Sequence, residues 1–138
     1  MIHFCDKTGA NSCTAFWRDD FVRLISPSLV RQIHIASNPQ QTWMAPLLAA
    51  TLSAVGRVAV DDGFLRSLNI DLLMITREEA PRTRLCALGC VSRLWSENGR
   101  RLAGWKHETV PFLHECAEDE NEDVVAEARR LKVVLDQL

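Results

Sequence analysis

Asn69-Ile70-Asp71-Leu72-Leu73-Met74-Ile75-Thr76 and Thr109-Val110-Pro111-Phe112-Leu113-His114-Glu115-Cys116 carry one hydrophobic pattern twice, 40 residues apart. Ile70 matches Val110, Leu72 matches Phe112, and Leu73 matches Leu113. The offset persists beyond a short polar turn. There Leu85, Leu88, Val91, Leu94 and Trp95 fall on Val125, Ala128, Leu131, Val134 and Leu135. Apolar residues three and four apart mark one face of a helix. Each unit therefore reads as helix, polar turn, helix, and the unit recurs.

A period of about 40 residues with a polar turn between helices suits the HEAT/armadillo class of α-solenoid. The expected fold is all-α, a single HEAT-type segment over residues 1–138 with about three antiparallel helix pairs. Their approximate spans are 16–60, 64–98 and 102–138. A solenoid offers an extended surface, and its usual work is holding partners.

Outward from the repeat, the remaining elements follow local signals. Met1–Cys5 is an apolar stub, followed by turn chemistry over Asp6-Lys7-Thr8-Gly9-Ala10-Asn11-Ser12. The stub looks like the tail of a helix, so the chain is expected to be the C-terminal end of a longer solenoid. A helix is expected from Phe16 to His34, with Pro27 breaking it and Ser26 capping the restart. Asn38-Pro39 predicts the start of a second helix reaching Val60. That helix is apolar almost all round, which marks an element sandwiched between neighbours. Asp61-Asp62-Gly63 caps a third helix, and Pro81 opens a fourth that should stop at Asn98-Gly99. The fifth covers about Leu102 to Ala117, with a restart at Pro111, and the sixth about Glu122 to Leu138.

A chain of 138 residues with 47% hydrophobic and 25% charged residues suffices for one ordinary globular core. Its net charge of −2 gives no overall attraction to nucleic acid or anionic membrane. The charges are segregated, however. Residues 77–106 hold seven Arg/Lys and three Asp/Glu, whereas residues 108–127 hold eight Asp/Glu and no Arg/Lys. Thirteen of the sixteen cations are arginine, which base composition of the genome accounts for most simply. The five cysteines are odd in number and lack paired ligand spacing, which points to a reducing compartment. No signal peptide opens the chain and no apolar run is long enough for a membrane span.

Few residues suggest chemistry. Cys86 and Cys90 share a helix face but flank core positions, so they read as small hydrophobes and not as metal ligands. His114 and Cys116 stand two apart on one helix and cannot face each other. The acidic turn Glu118, Asp119, Glu120 lacks the register of a calcium loop. It is a candidate docking knuckle for a basic partner. Arg82, Arg84, Arg100, Arg101 and Lys106, together with Arg93, Trp95 and Trp105, form a candidate basic face for RNA phosphates and bases. Against this, Trp95 falls on the apolar stripe, and arginines commonly form a solvated face. No catalytic group, cofactor, metal ion or small-molecule substrate is implied.

Several segments, taken in order, resemble the family of giant HEAT-repeat nucleolar proteins in the small-subunit processome, which associates with the U-three small nucleolar RNA. Phe21, Leu24 and Pro27-Ser28-Leu29-Val30 with Gln32 are similar to that family's "F…L..PLV.QL" helix. Leu65-Arg66-Ser67-Leu68-Asn69 is similar to its "W..LN" segment, without the aromatic. Leu73-Met74-Ile75-Thr76-Arg77 and Pro81-Arg82-Thr83-Arg84-Leu85-Cys86-Ala87-Leu88 resemble its "LLKTR…PKVR.AAL" stretch, with Thr83 for a β-branched aliphatic. Thr109–Glu115 with Glu118-Asp119-Glu120 resembles ".IPFL.EL.ED". The resemblance implies a non-catalytic nucleolar scaffold in early pre-18S rRNA transcription and processing. It implies processome proteins as partners and proximity to pre-rRNA and U-three RNA. The alternative is a HEAT-type adaptor in another assembly. A helical enzyme would need a perturbed acid or base, and none is evident.

Overall fold

The computed structural model describes the chain from residue 10 to 138, with side chains from residue 19 onward. The stub at Met1–Cys5 and most of its following turn lie outside the described residues. Among the described residues seven helices follow in order: α1 (Ala10–Arg31), α2 (Ile33–Ala36), α3 (Met44–Val58), α4 (Asp62–Ile75), α5 (Pro81–Leu102), α6 (Lys106–Ala117) and α7 (Glu122–Asp136). Single 3₁₀ turns lie at Pro39–Gln41 and Ala103–Trp105. Among the described residues there is no strand.

The helices form two layers. α3, α5 and α7 stack in one, and α1, α4 and α6 in the other. α4 packs on α5 and α6 on α7 across short turns. Equivalent helices of successive pairs run parallel, because their contacts join residues at a nearly constant separation. Arg66 meets Glu108, Asn69 meets Thr109 and Arg77 meets Glu115, at separations of 42, 40 and 38. The fold is thus an all-α, HEAT-like solenoid, and the 40-residue sequence period is also its contact period.

Local chemistry sets the helix starts. Asp61 accepts the Gly63 N–H at 2.9 Å to cap α4. Pro81 stands at the first position of α5, where its missing N–H costs nothing. Asn121 accepts from both Asp123 and Val124 to cap α7, whose first turn then carries Glu122 and Asp123 at the positive end of the helix dipole. Fully buried Trp95, Leu65, Leu72, Leu88, Leu94 and Leu131 fill the space between the layers. Gly56 lets α3 approach closely: an added Cβ would lie 2.7 Å from a Leu65 methyl and 3.1 Å from a Leu94 methyl.

Several boundaries differ from expectation. Ala10–Ser12 lie within α1 and are helical, not part of a turn. α1 also passes through Pro27 without a restart. Ser26 is not a cap there but donates back to the Val22 carbonyl one turn earlier. Asn38 does cap, accepting from Gln40, yet it starts only a 3₁₀ turn, and α3 begins at Met44. Asn98-Gly99 is a kink within α5 and not its end. Asn98 leaves helical geometry at φ −123°, ψ 16°, and its buried amide donates to the Ser53 carbonyl and hydroxyl at 3.2 Å. Pro111 likewise sits inside an unbroken α6.

The expected sandwiching of the second helix is incomplete. Leu48 and Leu52 are buried, but Trp43 and Leu47 are 64% and 58% exposed. Phe21 and Leu24 on α1 are exposed as well. No further helix pair covers this side among the described residues.

Candidate binding surface

The charge segregation seen along the chain becomes complementarity between stacked pairs. Arg66 forks onto Glu108, Arg77 onto Glu115 and Arg84 onto Asp119, each guanidinium using Nε and Nη2 against both carboxylate oxygens. Such paired, charge-assisted bonds are strong and geometrically specific. They fix the register of one pair on the next. Exposed pairs add little stability, so the best-protected one matters most. Arg84 and Asp119 have side chains only 13% and 10% exposed, at 2.8 Å. Hydrogen bonding to Arg84 holds the Asp119 carboxyl below its ordinary range, against the opposing effect of burial.

Between these pairs lies a neutral polar rung. Trp95 donates its indole N–H to Asn69 Oδ1 at 2.9 Å, and Asn69 Nδ2 donates to Thr109 Oγ1 at 3.0 Å. The Thr109 hydroxyl also reaches the Trp105 carbonyl at 3.3 Å. Asn69 and Thr109 occupy the same place in their two units, so the repeat bonds to itself.

The five cationic residues picked out as a basic face divide. Arg84 is tied to Asp119 and to the carbonyls of Glu78 and Glu79. Arg101 bonds to Asp62 and to the carbonyls of Gly56 and Val60. Lys106 donates to the Leu135 carbonyl in the last turn of α7 and to the Leu138 carbonyl just past it. Arg82 and Arg100 are exposed and make no hydrogen bond or ion pair among the described residues. They project from opposite ends of α5. Trp95 is buried in the core, and Trp105 packs against that core, so neither offers an exposed ring for stacking.

In the acidic turn, Asp119 is held by Arg84 and also accepts the Asn121 N–H. Glu118 and Glu120 are exposed. Cys86, Cys90 and Cys116 are buried free thiols. The Cys86 thiol is held down by its hydrogen bond from Cys90, which is itself pushed up by that bond and by burial. His114 is exposed on the far side of α6 from Cys116. Among the described residues no group of three or more metal-ligating side chains converges, and no helix is long and apolar enough to cross a membrane.

One concavity was not read from the sequence. It is an open groove of about 630 Å³ along the outer face of α5, walled by α3 and α7. α5 contributes a stripe with helical spacing from Arg82 through Leu85, Cys86, Gly89 and Ser92 to Ser96. Ala45 and Ala49 lie on the α3 side, and Leu131 and Val134 on the α7 side. Small residues at 89, 92 and 96 leave the channel open. Their alternation with the buried stripe was the available signal, but small residues carry little weight in a hydrophobic pattern.

The chain is similar to parts of much longer proteins. It is 30% identical over 118 residues to U3 small nucleolar RNA-associated protein 10 of Phaeosphaeria nodorum, covering 84% of this chain and 7% of that protein. Against the protein of the same name in Schizosaccharomyces pombe it is 28% identical over 115 residues, covering 83% of this chain and 7% of that protein. HEAT repeat-containing protein 1 of Danio rerio is 27% identical over 106 residues, covering 75% of this chain and 5% of that protein. The chain thus spans 5 to 7% of the length of these curated relatives. No family model matches the chain, and no solved structure matches it.

Proposed function

Because this chain belongs to the family of U3 small nucleolar RNA-associated protein 10 and HEAT repeat-containing protein 1, we propose that it is a non-catalytic scaffold segment acting in ribosome biogenesis. It works in the nucleolus, within the small-subunit processome, during transcription and processing of pre-18S rRNA. The observation that carries this reading is the similarity over 84% of the chain to a protein named for association with U3 small nucleolar RNA. The architecture supports it, since stacked helix pairs present surface and not a reaction cleft.

The segment acts as part of a longer solenoid. The exposed apolar side chains Phe21, Leu24, Trp43 and Leu47 form the face on which another helix pair would stack. Its work is docking processome proteins. Arg84, Arg101 and Lys106 hold the solenoid together, so direct contact with pre-rRNA or U3 RNA falls to Arg82 and Arg100. Two separated cations give weak, salt-sensitive phosphate contact. Glu118 and Glu120 remain available for a basic partner.

Pulse-labelling of ribosomal RNA tests the reading. Cells depleted of the native protein and rescued with the intact gene produce small-subunit rRNA normally. Rescue with a gene lacking residues 62–138 lowers its production. Unchanged small-subunit rRNA in both cases would exclude a role for this segment in ribosome biogenesis.

A further inference from the structure

We propose that the groove along α5 is the docking site for an amphipathic helix of a partner protein, with an apolar stripe flanked by Asp and Glu. This rests on the scaffold reading and names the surface and the partner chemistry. The groove's length is the first observation. From Arg82 to Ser96 the outer face of α5 covers fourteen residue steps, or about 21 Å at about 1.5 Å per residue. That is the length of a four-turn helix. The floor is the second: Leu85, Cys86, Leu131 and Val134, with alanines opposite, make an apolar bed. Helix-in-groove recognition uses such a bed, taking anchors at i, i+3, i+4 and i+7.

Charge selects the partner. Three arginines, Arg82, Arg93 and Arg130, line the groove against one carboxylate, Glu127. This positive rim stands on a chain whose net charge is −2. Arg93 pairs with Glu97 and Arg130 with Glu127, so the rim keeps a net excess of one positive charge, on Arg82, which is unpaired among the described residues. An acidic flank on the incoming helix complements this rim and sets its orientation. RNA fits less well. The floor is apolar, and no aromatic side chain lines the groove for base stacking.

Gly89 makes the test clean. It lies mid-groove, and a Cβ built there meets no atom within 4 Å. A side chain at 89 therefore starts in open space inside the groove. Gly104 is equally open but does not line the groove, and serves as the control site.

The experiment places the photo-crosslinking residue p-benzoylphenylalanine at position 89 or 104 of the native full-length protein in cells. Adducts are then identified by mass spectrometry. The expected adduct from position 89 is one partner peptide with apolar residues at helical spacing and Asp/Glu beside them. It is absent from position 104. Its yield falls about tenfold when Arg82→Glu and Arg130→Glu are combined, because both arginines are exposed rim charges whose reversal repels the acidic flank.

An RNA adduct, an adduct from another part of the same protein, a partner peptide lacking acidic residues, or no adduct at 89 would each overturn the proposal. The two readings fail separately. An acidic helix from a protein outside ribosome assembly would keep the groove assignment and remove the ribosomal one. An RNA adduct from a ribosomal precursor would do the reverse.

Discussion

Replacing Asn69 with alanine removes the centre of the polar rung that joins two helix pairs. Asn69, Trp95 and Thr109 are all buried, so water cannot replace the lost partner. The Trp95 N–H, now 2.9 Å from Asn69 Oδ1, becomes an orphaned buried donor. Leaving such a group unsatisfied costs about 1–3 kcal/mol. Thr109 loses a donor but keeps its bond to the Trp105 carbonyl, so its share is smaller. Adding the vacated side-chain volume gives a total near 3 kcal/mol. For a chain of this length that corresponds to a melting temperature lower by about 10 °C, using about 2.1 cal/mol/K of unfolding entropy per residue.

The assay is urea unfolding followed by circular dichroism, on wild type, Asn69→Ala, Trp95→Phe and the double variant. Trp95→Phe removes the donor that Asn69→Ala would strand. The double variant should therefore be more stable than the sum of the single effects by about 1–2 kcal/mol. Additivity within about 0.5 kcal/mol, or a cost for Asn69→Ala below that figure, would refute the rung as a source of stability.

Other consequences follow from close approaches and charges. Gly89→Ala should stabilise the chain by about 0.5–1 kcal/mol, since Gly89 is helical and unobstructed. Gly56→Ala should instead destabilise by about 1–3 kcal/mol, because the new methyl overlaps Leu65 and Leu94; paired melting curves check both. Arg84 lowers the folded-state pKa of Asp119, so its contribution is present above the ordinary carboxylate value of about 4 and is lost as pH falls through the lower folded value. Asp119→Asn should weaken the acid dependence of stability in that window, measured by melting at stepped pH. Thiol titration of the native chain with a disulfide reagent should find Cys90 unreactive until unfolding, because it is fully buried and its thiol is pushed up.

The repeat was legible in the sequence because hydrophobic spacing and contact period are the same quantity in a solenoid. Residues 69–76 and 109–116 align in sequence, and Asn69 then bonds to Thr109 in space. Helix starts with a side-chain cap or a leading proline, at Asp61, Pro81 and Asn121, were legible for the same local reason. Pro27 and Pro111 misled because their helices continue through them, and Asn98-Gly99 because a tertiary contact overrode a local rule. At the Asn98 kink the side-chain amide donates to the Ser53 carbonyl, 45 residues away.

The basic face was half legible. A run of arginines followed by a run of carboxylates was visible as asymmetry, but pairing depends on stacking. Arg84, Arg101 and Lys106 turn inward to carboxylates and helix-end carbonyls that sequence order does not place beside them. The groove was hidden because the small residues Gly89, Ser92 and Ser96 carry little weight in a hydrophobic pattern.

The most direct test of the account is purification of the tagged native protein at high salt, with sequencing of its bound RNA and identification of its bound proteins. Enrichment of pre-18S transcripts, U3 RNA and processome proteins is the expected result. Recovery of unrelated cytoplasmic partners, with no ribosomal RNA precursor, would contradict the functional claim and leave the solenoid fold alone standing.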